Sequence, residues 1–139
     1  MNLIKNFSII IPIFNESENI ENLYIELNKV LSNYNNFEII FVNDGSTDDS
    51  KKILEILNKK NTQKFKILNN NKNLGQSYSL YIGIKKSKYQ NIITIDGDGQ
   101  NDPKDIHKLI NIYFKNDDII LVGGIRNKRQ DNLSKRIAS

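Results

Sequence analysis

Two carboxylates one residue apart, with a side-chain amide two residues on, are the groups in this chain that suggest chemistry. They stand in Asp96-Gly97-Asp98-Gly99-Gln100-Asn101-Asp102-Pro103, directly after the apolar run Ile92-Ile93-Thr94-Ile95. Side chains alternate along extended backbone, so Asp96 and Asp98 are expected to point the same way. Gly97 and Gly99 have no side chain and would let a ligand approach the backbone. Two aimed carboxylates and the oxygen of Gln100 suit a hard divalent cation. Mg²⁺ or Mn²⁺ takes oxygen ligands and commonly shares them with substrate phosphates. Asp and Gly also build ordinary turns, and Asp102-Pro103 is an ordinary helix start. The rest of the chain must therefore decide between a site and a turn.

The elements that would position these groups follow from hydrophobic periodicity. Phe7 to Phe14 is nearly all apolar, as a strand covered on both faces should be. Pro12 lacks an amide hydrogen, so pairing should fail near that end. Asn15 as cap with Glu18 three residues later predicts a capping box for a helix over 17–32, with Ile20, Leu23, Tyr24, Leu27 and Leu31 on its apolar face. Phe37 to Val42 is a second strand, ending in the turn cluster Asn43-Asp44-Gly45-Ser46-Thr47-Asp48. A second helix carries Ile53, Leu54, Ile56 and Leu57. Phe65 to Leu68 is a third strand. Leu74, Tyr78, Tyr81 and Ile82 mark a third helix, in which Gly83 predicts close packing on a sheet. Ile92 to Ile95 is the fourth strand. A fourth helix runs from Pro103 with Ile106, Leu109, Ile110, Tyr113 and Phe114 on one face, and Ile119 to Val122 reads as a fifth strand.

Strands alternating with helices over short connections predict a mostly parallel open α/β sheet. Such sheets bind ligands beyond the carboxyl ends of their strands. The polar clusters fall there: Asn15-Glu16, Asp44, Asn73, Asp96 to Gln100, and Arg126. This agreement favours a site over isolated turns.

Bulk properties narrow the classes. The 139 residues fit one domain, and 38% hydrophobic with 26% charged residues is a globular balance. The absence of cysteine excludes disulfides and thiolate chemistry, and His107 is the one histidine. His107 reads as an ordinary surface residue. A net charge of +4 suits an anionic partner and is too mild for nucleic acid. The N-terminal residues carry no signal-peptide apolar segment, which points to the cytoplasm.

With these residues in order, the chain resembles the N-terminal part of a family 2 glycosyltransferase of the GT-A fold, nearest to the dolichyl- or polyprenyl-phosphate glycosyltransferases. The resemblance is carried by Ser8-Ile9-Ile10-Ile11-Pro12-Ile13-Phe14-Asn15-Glu16, Val42-Asn43-Asp44-Gly45-Ser46-Thr47-Asp48, Asn73-Leu74-Gly75, Asp96 to Pro103, and Gly124-Ile125-Arg126. It implies a Rossmann-like three-layer α/β/α core over residues 1–125. Residues 126–139 would form a basic tail that begins an acceptor-binding part. Pro12, Phe14, Asn15, Glu16, Asp44, Asn73 and Gly75, together with Asp96, Gly97 and Asp98, would hold a UDP- or GDP-sugar. Asp96, Asp98 and Gln100 would bind Mg²⁺ or Mn²⁺ on its diphosphate. Asp96, Asp98 and Arg126 would serve catalysis of an inverting hexosyl transfer.

Two departures stand out. The second and fourth residues of the metal motif are usually Ala and Leu in that family, and Gly97 and Gly99 here would loosen the loop. Family catalytic domains also extend about 80–100 residues further, within ordinary domain size.

The implied reaction displaces a nucleoside diphosphate from a sugar C1. A hydroxyl acceptor needs a general base, whereas a polyprenyl phosphate is already anionic. No spare acid follows the metal motif in a catalytic setting: Asp105 reads as helix-start charge, Asp117-Asp118 as a turn, and Asp131 as tail. That favours the lipid phosphate. The segment from Arg126 to Ile137 has five basic residues, which suits peripheral contact with acidic headgroups or a solvated helix face. A donor-binding fragment without transfer is the second reading. A nucleotidyltransferase would show a glycine-rich basic loop after the first strand, where Asn15-Glu16-Ser17-Glu18 is acidic. A flavodoxin-like phosphoacceptor domain would want a lysine after the fifth strand, where Gly123-Gly124 stands.

Overall fold

A computed structural model describes residues 5–61, 63–119 and 121–124. Four strands and four helices alternate: β1 (Phe7–Ile13), α1 (Ile20–Leu31), β2 (Phe37–Asn43), α2 (Ser50–Lys60), β3 (Phe65–Asn69), α3 (Gln76–Lys85), β4 (Ile92–Thr94) and α4 (Asp105–Lys115). All strand pairs are parallel, in the order β3-β2-β1-β4. The expected α/β class and parallel sheet are therefore present.

The sheet is covered unequally. On one face Ile9, Ile11, Ile13, Ile39 and Phe41 pack under Leu23 and Leu27 of α1, Leu54 of α2 and Ile106 and Ile110 of α4. On the other, Ile10, Ile40 and Val42 meet Leu80 of α3. α3 turns small residues inward: Ser79 and Gly83 are buried, while Tyr78 and Tyr81 are 42% and 54% exposed. The aromatic residues that mark this helix in the sequence are thus largely outside. A Cβ on Gly83 would stand 2.3 Å from Ile10 Cγ2, so this helix lies too close to the sheet for a side chain there. That bears out the close packing expected at Gly83.

Pro12 acts on one side only. The Ser8 N–H donates to Asn91 and the Ile10 C=O accepts from Ile95, so even-numbered residues of β1 face β4. Pro12 falls in that set and offers no donor to β4. Pairing with β4 stops at Ile10 opposite Thr94, while pairing with β2 continues to Ile13 opposite Asn43. β4 is thereby released just before Asp96.

Three expectations are corrected. α1 begins at Ile20 rather than 17, and no Asn15–Glu18 capping box forms, because Asn15 caps a different loop. α4 begins at Asp105; the Asp102 carboxylate takes the Lys104 N–H and holds Pro103 and Lys104 in a turn. The fifth strand does not form among the described residues: Ile119 is turned back onto the Asn116 carbonyl, and Leu121 is 86% exposed. An apolar run makes a strand only where a neighbouring ladder accepts it. Arg126 and the basic tail 126–139 lie outside the described residues.

Candidate donor and cation site

The loops after β1, β2, β3 and β4 meet in three groups beyond the carboxyl ends of the strands. The first is a clasp between the β1 and β2 loops. Asn15 adopts φ 53°, a left-handed conformation that Asn tolerates. Its Oδ1 accepts the Thr47 N–H at 2.8 Å and the Asp48 N–H at 3.3 Å. In return, the Asn15 N–H donates to Ser46 Oγ, the Glu16 N–H to Ser50 Oγ, and the Ser17 N–H to Asp48 Oδ2. Burial alone would raise the Asp48 carboxyl, but donors from Ser50 and Ser17 outweigh it and bring it down to about 2. The Glu16 carboxylate accepts from Asn19 Nδ2 at 2.7 Å, just ahead of α1.

The second loop hangs from Asp44, which is 3% exposed. Its Oδ1 accepts the Leu74 N–H and Asn70 Nδ2, and its Oδ2 accepts the Gly75 N–H, all within 2.9 Å. Burial opposes ionisation, yet these donors hold the carboxyl below its ordinary range. Asp44 therefore anchors the Asn73-Leu74-Gly75 segment from beneath. Gly45 completes the contact: at φ 68° its missing Cβ would strike the Lys72 backbone at 2.4 Å.

The third loop carries Asp96, Asp98 and Gln100, all partly buried. The backbone is not extended here: Gly97 and Asp98 form a turn, so alternation does not set the two carboxylates. Protein donors set them instead. Asp98 Oδ1 accepts the Gln100 N–H at 3.0 Å, and Asp96 Oδ1 accepts Gln76 Nε2 at 2.9 Å. Gly97 is buried, and a Cβ there would meet Ile13 Cδ1 at 2.4 Å and the Pro12 carbonyl at 2.9 Å. Glycine therefore draws this loop onto the end of β1 and does not loosen it.

Pro12, Phe14, Asn15, Glu16, Asp44, Asn73, Gly75, Asp96, Gly97, Asp98 and Gln100 all lie on these loops or at the strand ends beneath them. A cleft of about 500 Å³ opens beside Asp96, with Thr94, Gln100, Asn101, Asp102 and Asp105 in its walls. Among the described residues, no three His, Cys, Asp or Glu side chains gather as a metal centre. Two carboxylates held by protein donors and an amide on one loop are oxygen ligands of the kind a hard divalent cation takes.

Two residues took roles the sequence did not reveal. Gln76 bridges α3 to Asp96 across 20 positions, and no local spacing connects such a pair. Its place directly after the turn at Gly75, beside the polar clusters, was the available signal. His107 stacks on Tyr34 at 5.5 Å and shares a hydrogen bond of 2.9 Å through Nδ1, so it fastens α4 to the α1–β2 loop and is not a plain surface residue.

Comparison with known proteins agrees with this geometry. Residues 8–139 match the glycosyl transferase family 2 model. The chain is 34% identical over 134 residues to an undecaprenyl-phosphate 4-deoxy-4-formamido-L-arabinose transferase of Pseudomonas savastanoi, covering 96% of the chain and 39% of that relative. It is 39% identical over 114 residues to an uncharacterised glycosyltransferase of Synechocystis, covering 81% of the chain and 36% of that relative. The chain thus spans well under half of these relatives. Among solved structures, Staphylococcus aureus TarS 1–349 with UDP-GlcNAc superposes with a TM-score of 0.61 at 23% identity, over 79% of this chain and 32% of that one. A Pyrobaculum calidifontis mannosyltransferase with GDP-Man and Mn²⁺ gives 0.64 at 16% identity, over 70% of this chain and 28% of that one. These two share the GT-A fold.

Proposed function

The chain belongs to glycosyl transferase family 2, and on that premise we propose that it is the donor-binding part of an enzyme that moves a sugar from a UDP- or GDP-sugar to a polyprenyl phosphate. The observation that carries this reading is the convergence of the Asn15, Asp44 and Asp96 loops at one end of a parallel sheet, with both motif carboxylates oriented by protein donors. The 34% identical relative is named for transfer to undecaprenyl phosphate, which supports the acceptor class.

In this reading the clasped Asn15–Asp48 loops and the Asn73–Gly75 segment form the nucleotide's bed. Asp96, Asp98 and Gln100 hold the cation, and the sugar lies in the cleft beside Asp96. Bound Mg²⁺ or Mn²⁺ would neutralise the charge that grows on the leaving diphosphate. An acceptor phosphate oxygen attacks the sugar C1 as the bond from C1 to the diphosphate oxygen breaks, with inversion. An anionic acceptor needs no base, which fits a site whose acids are engaged elsewhere. Arg126, which the resemblance assigns to catalysis, would give a fork of donors to a phosphate. We place the reaction at the cytoplasmic face of a membrane, with the basic segment 126–139 against acidic headgroups. No helix among the described residues is long and apolar enough to cross a membrane.

Calorimetric titration with UDP and GDP, with and without Mn²⁺, tests the donor site beside Asp98→Ala. Metal-dependent binding that Asp98→Ala abolishes is the expected result. Binding that is indifferent to Asp98 would overturn the cation reading. Turnover with polyprenyl phosphate then separates transfer from the second reading, donor binding alone. The second reading is favoured by β4 standing at the edge of the sheet with no strand partner on its outer side among the described residues.

A further inference from the structure

Helix α3 lacks the polar outer side of an ordinary surface helix. Ser79, Leu80 and Gly83 turn to the sheet, where α3 lies on β1 and β2. Tyr78, Tyr81 and Lys85 stand on the outer side, three and four residues apart, with Leu74 just ahead of the helix; all four are exposed. A surface helix normally keeps charged and polar residues opposite the face it buries. α1 and α2 do so, exposing Glu21 and Lys29 on one and Lys51, Lys52 and Glu55 on the other. Among the described residues, α3 packs on no helix to the extent that it packs on the sheet.

Charge singles out the same region. Residues 56–95 hold eight lysines and no Asp or Glu, in a chain with 16 acids and 20 basic residues. This acid-free stretch runs from the end of α2 through β3 and α3 to β4. Three of its lysines follow the aromatic ridge. Lys85 Nζ lies 5.7 Å from the Tyr81 ring centroid, Lys88 Nζ lies 5.2 Å from that of Tyr89, and Lys86 is exposed beside them. The acid that reaches this end of α3 is Glu38, which is buried and already holds Lys66 Nζ and the Lys88 N–H.

Tyrosine and lysine on one surface fit one kind of partner. A tyrosine ring enters the zone between headgroups and acyl chains while its hydroxyl stays wet. A lysine lays its stem along that zone and keeps its ammonium at the phosphates. Anionic headgroups complement a surface whose lysines have no acids among them. We infer that the outer side of α3 is a docking surface for an anionic lipid bilayer. Leu74, Tyr78 and Tyr81 enter the interface, and Lys85, Lys86 and Lys88 meet the headgroups. The inference goes beyond the function proposed above: it shares the membrane placement, adds a contact separate from residues 126–139, and needs neither nucleotide nor metal.

The chain has no tryptophan, so single tryptophans report one face at a time. Tyr81→Trp reports α3, and Ile25→Trp, at an exposed position of α1, reports the opposite face. Each is mixed with vesicles of equal parts phosphatidylcholine and phosphatidylglycerol, or of phosphatidylcholine alone. Emission of Tyr81→Trp should move to the blue on the anionic vesicles, and that of Ile25→Trp should not. Vesicle flotation then compares lysine variants. Lys85→Gln with Lys88→Gln should weaken binding about 10-fold or more, at about 5-fold for each charge lost near the surface. Lys51→Gln with Lys52→Gln on α2 should leave it unchanged. Equal loss in both pairs, or a blue shift at Ile25→Trp alone, overturns the inference. A blue shift of Tyr81→Trp that grows with protein concentration without vesicles would mean that a second copy covers the face, and also overturns it. If Lys135→Gln with Arg136→Gln abolishes flotation while the α3 pair keeps it, the basic segment is the contact; the inference fails and the membrane placement stands. If the parent chain does not float with anionic vesicles, the inference and that placement both fail, and nucleotide titration still judges the donor site separately.

Discussion

Strand β2 has a buried carboxylate near each end, and the two grip opposite ends of the same helix. At the carboxyl end, Asp44 takes the N–H groups of Leu74 and Gly75, just ahead of α3. At the amino end, Glu38 takes the Lys88 N–H, just past α3, together with Ser8 Oγ at 2.6 Å and Lys66 Nζ at 3.2 Å. Both are almost fully buried, at 3% and 6% exposed. In both, hydrogen bonds overcome the upward pull of burial and hold the carboxyl below its ordinary range. By burial and titration they are alike. They differ in what their helix end presents next. Beyond Asp44 stands Gln76, reaching Asp96; beyond Glu38 the chain runs through Tyr89, whose N–H bonds Ser8 Oγ, into β4. A buried, perturbed acid is thus no guide to the site by itself. The end of the sheet it serves decides.

Removing Asp44 should have the largest effect. Asp44→Ala takes the acceptor from the Leu74 and Gly75 N–H groups in a partly buried setting, at about 1–2 kcal/mol each. Chemical unfolding should show a loss of about 3 kcal/mol, and calorimetry should show nucleotide binding gone even where the variant is folded. Glu38→Ala is the matched control. It should cost about 2 kcal/mol through the unpaired Lys88 N–H, yet leave Mn²⁺-dependent nucleotide affinity unchanged below its melting transition. Equal loss of affinity in both variants would erase the distinction between the two ends.

Gly83→Ala probes the helix between them. The added methyl meets Ile10 Cγ2 at 2.3 Å and Val42 Cγ2 at 3.2 Å. Overpacking of this kind costs about 1–3 kcal/mol, and we expect the upper part of that range because Ile10 Cγ2 sits on the stiff Cβ of a fully buried residue. Lifting α3 disturbs both clasps, so affinity should fall mildly, between the Glu38 and Asp44 variants. Thermal melts and the same titration check both parts.

The sequence carried the fold in the period of its apolar residues. It carried the location of the site in the rule that ligands sit beyond parallel strand ends. Pro12 was legible as a break, but the direction of that break needed the parity of β1, which places it toward β4 alone. Tyr78 and Tyr81 mark α3 in the sequence but lie on its outer side. The helix sits so near the sheet that only Ser79 and Gly83 fit beneath it. Asn15 was read as a helix cap because its own helix lay next in sequence, whereas it caps the loop after β2, some 32 positions on. Gln76 has no signature in the sequence. A glutamine after a glycine has no distinguishing pattern until the fold brings Asp96 to it.

Acid should blunt the comparison, and that is its most delicate test. Glu38 and Asp44 both have folded pKa values below their ordinary 4.5 and 3.8. Each therefore contributes stability that is present above its ordinary value and lost as pH falls through its lowered one. Melting temperature should hold steady from pH 7 to about 5 and then fall toward pH 3. Asp48, at about 2, adds a last and smaller loss between its ordinary 3.8 and that value, because it is exposed and screened. In Glu38→Gln the slope below pH 5 should be shallower, by circular dichroism melts, and in Asp44→Asn likewise. A parental slope in Glu38→Gln would mean that its carboxyl is not an ionised clasp. Protonation registers both acids only as clasps, so the two variants should be hard to tell apart by stability against pH. Nucleotide titration at pH 7 should separate them at once, because only Asp44 holds the helix end that reaches the Asp96 loop.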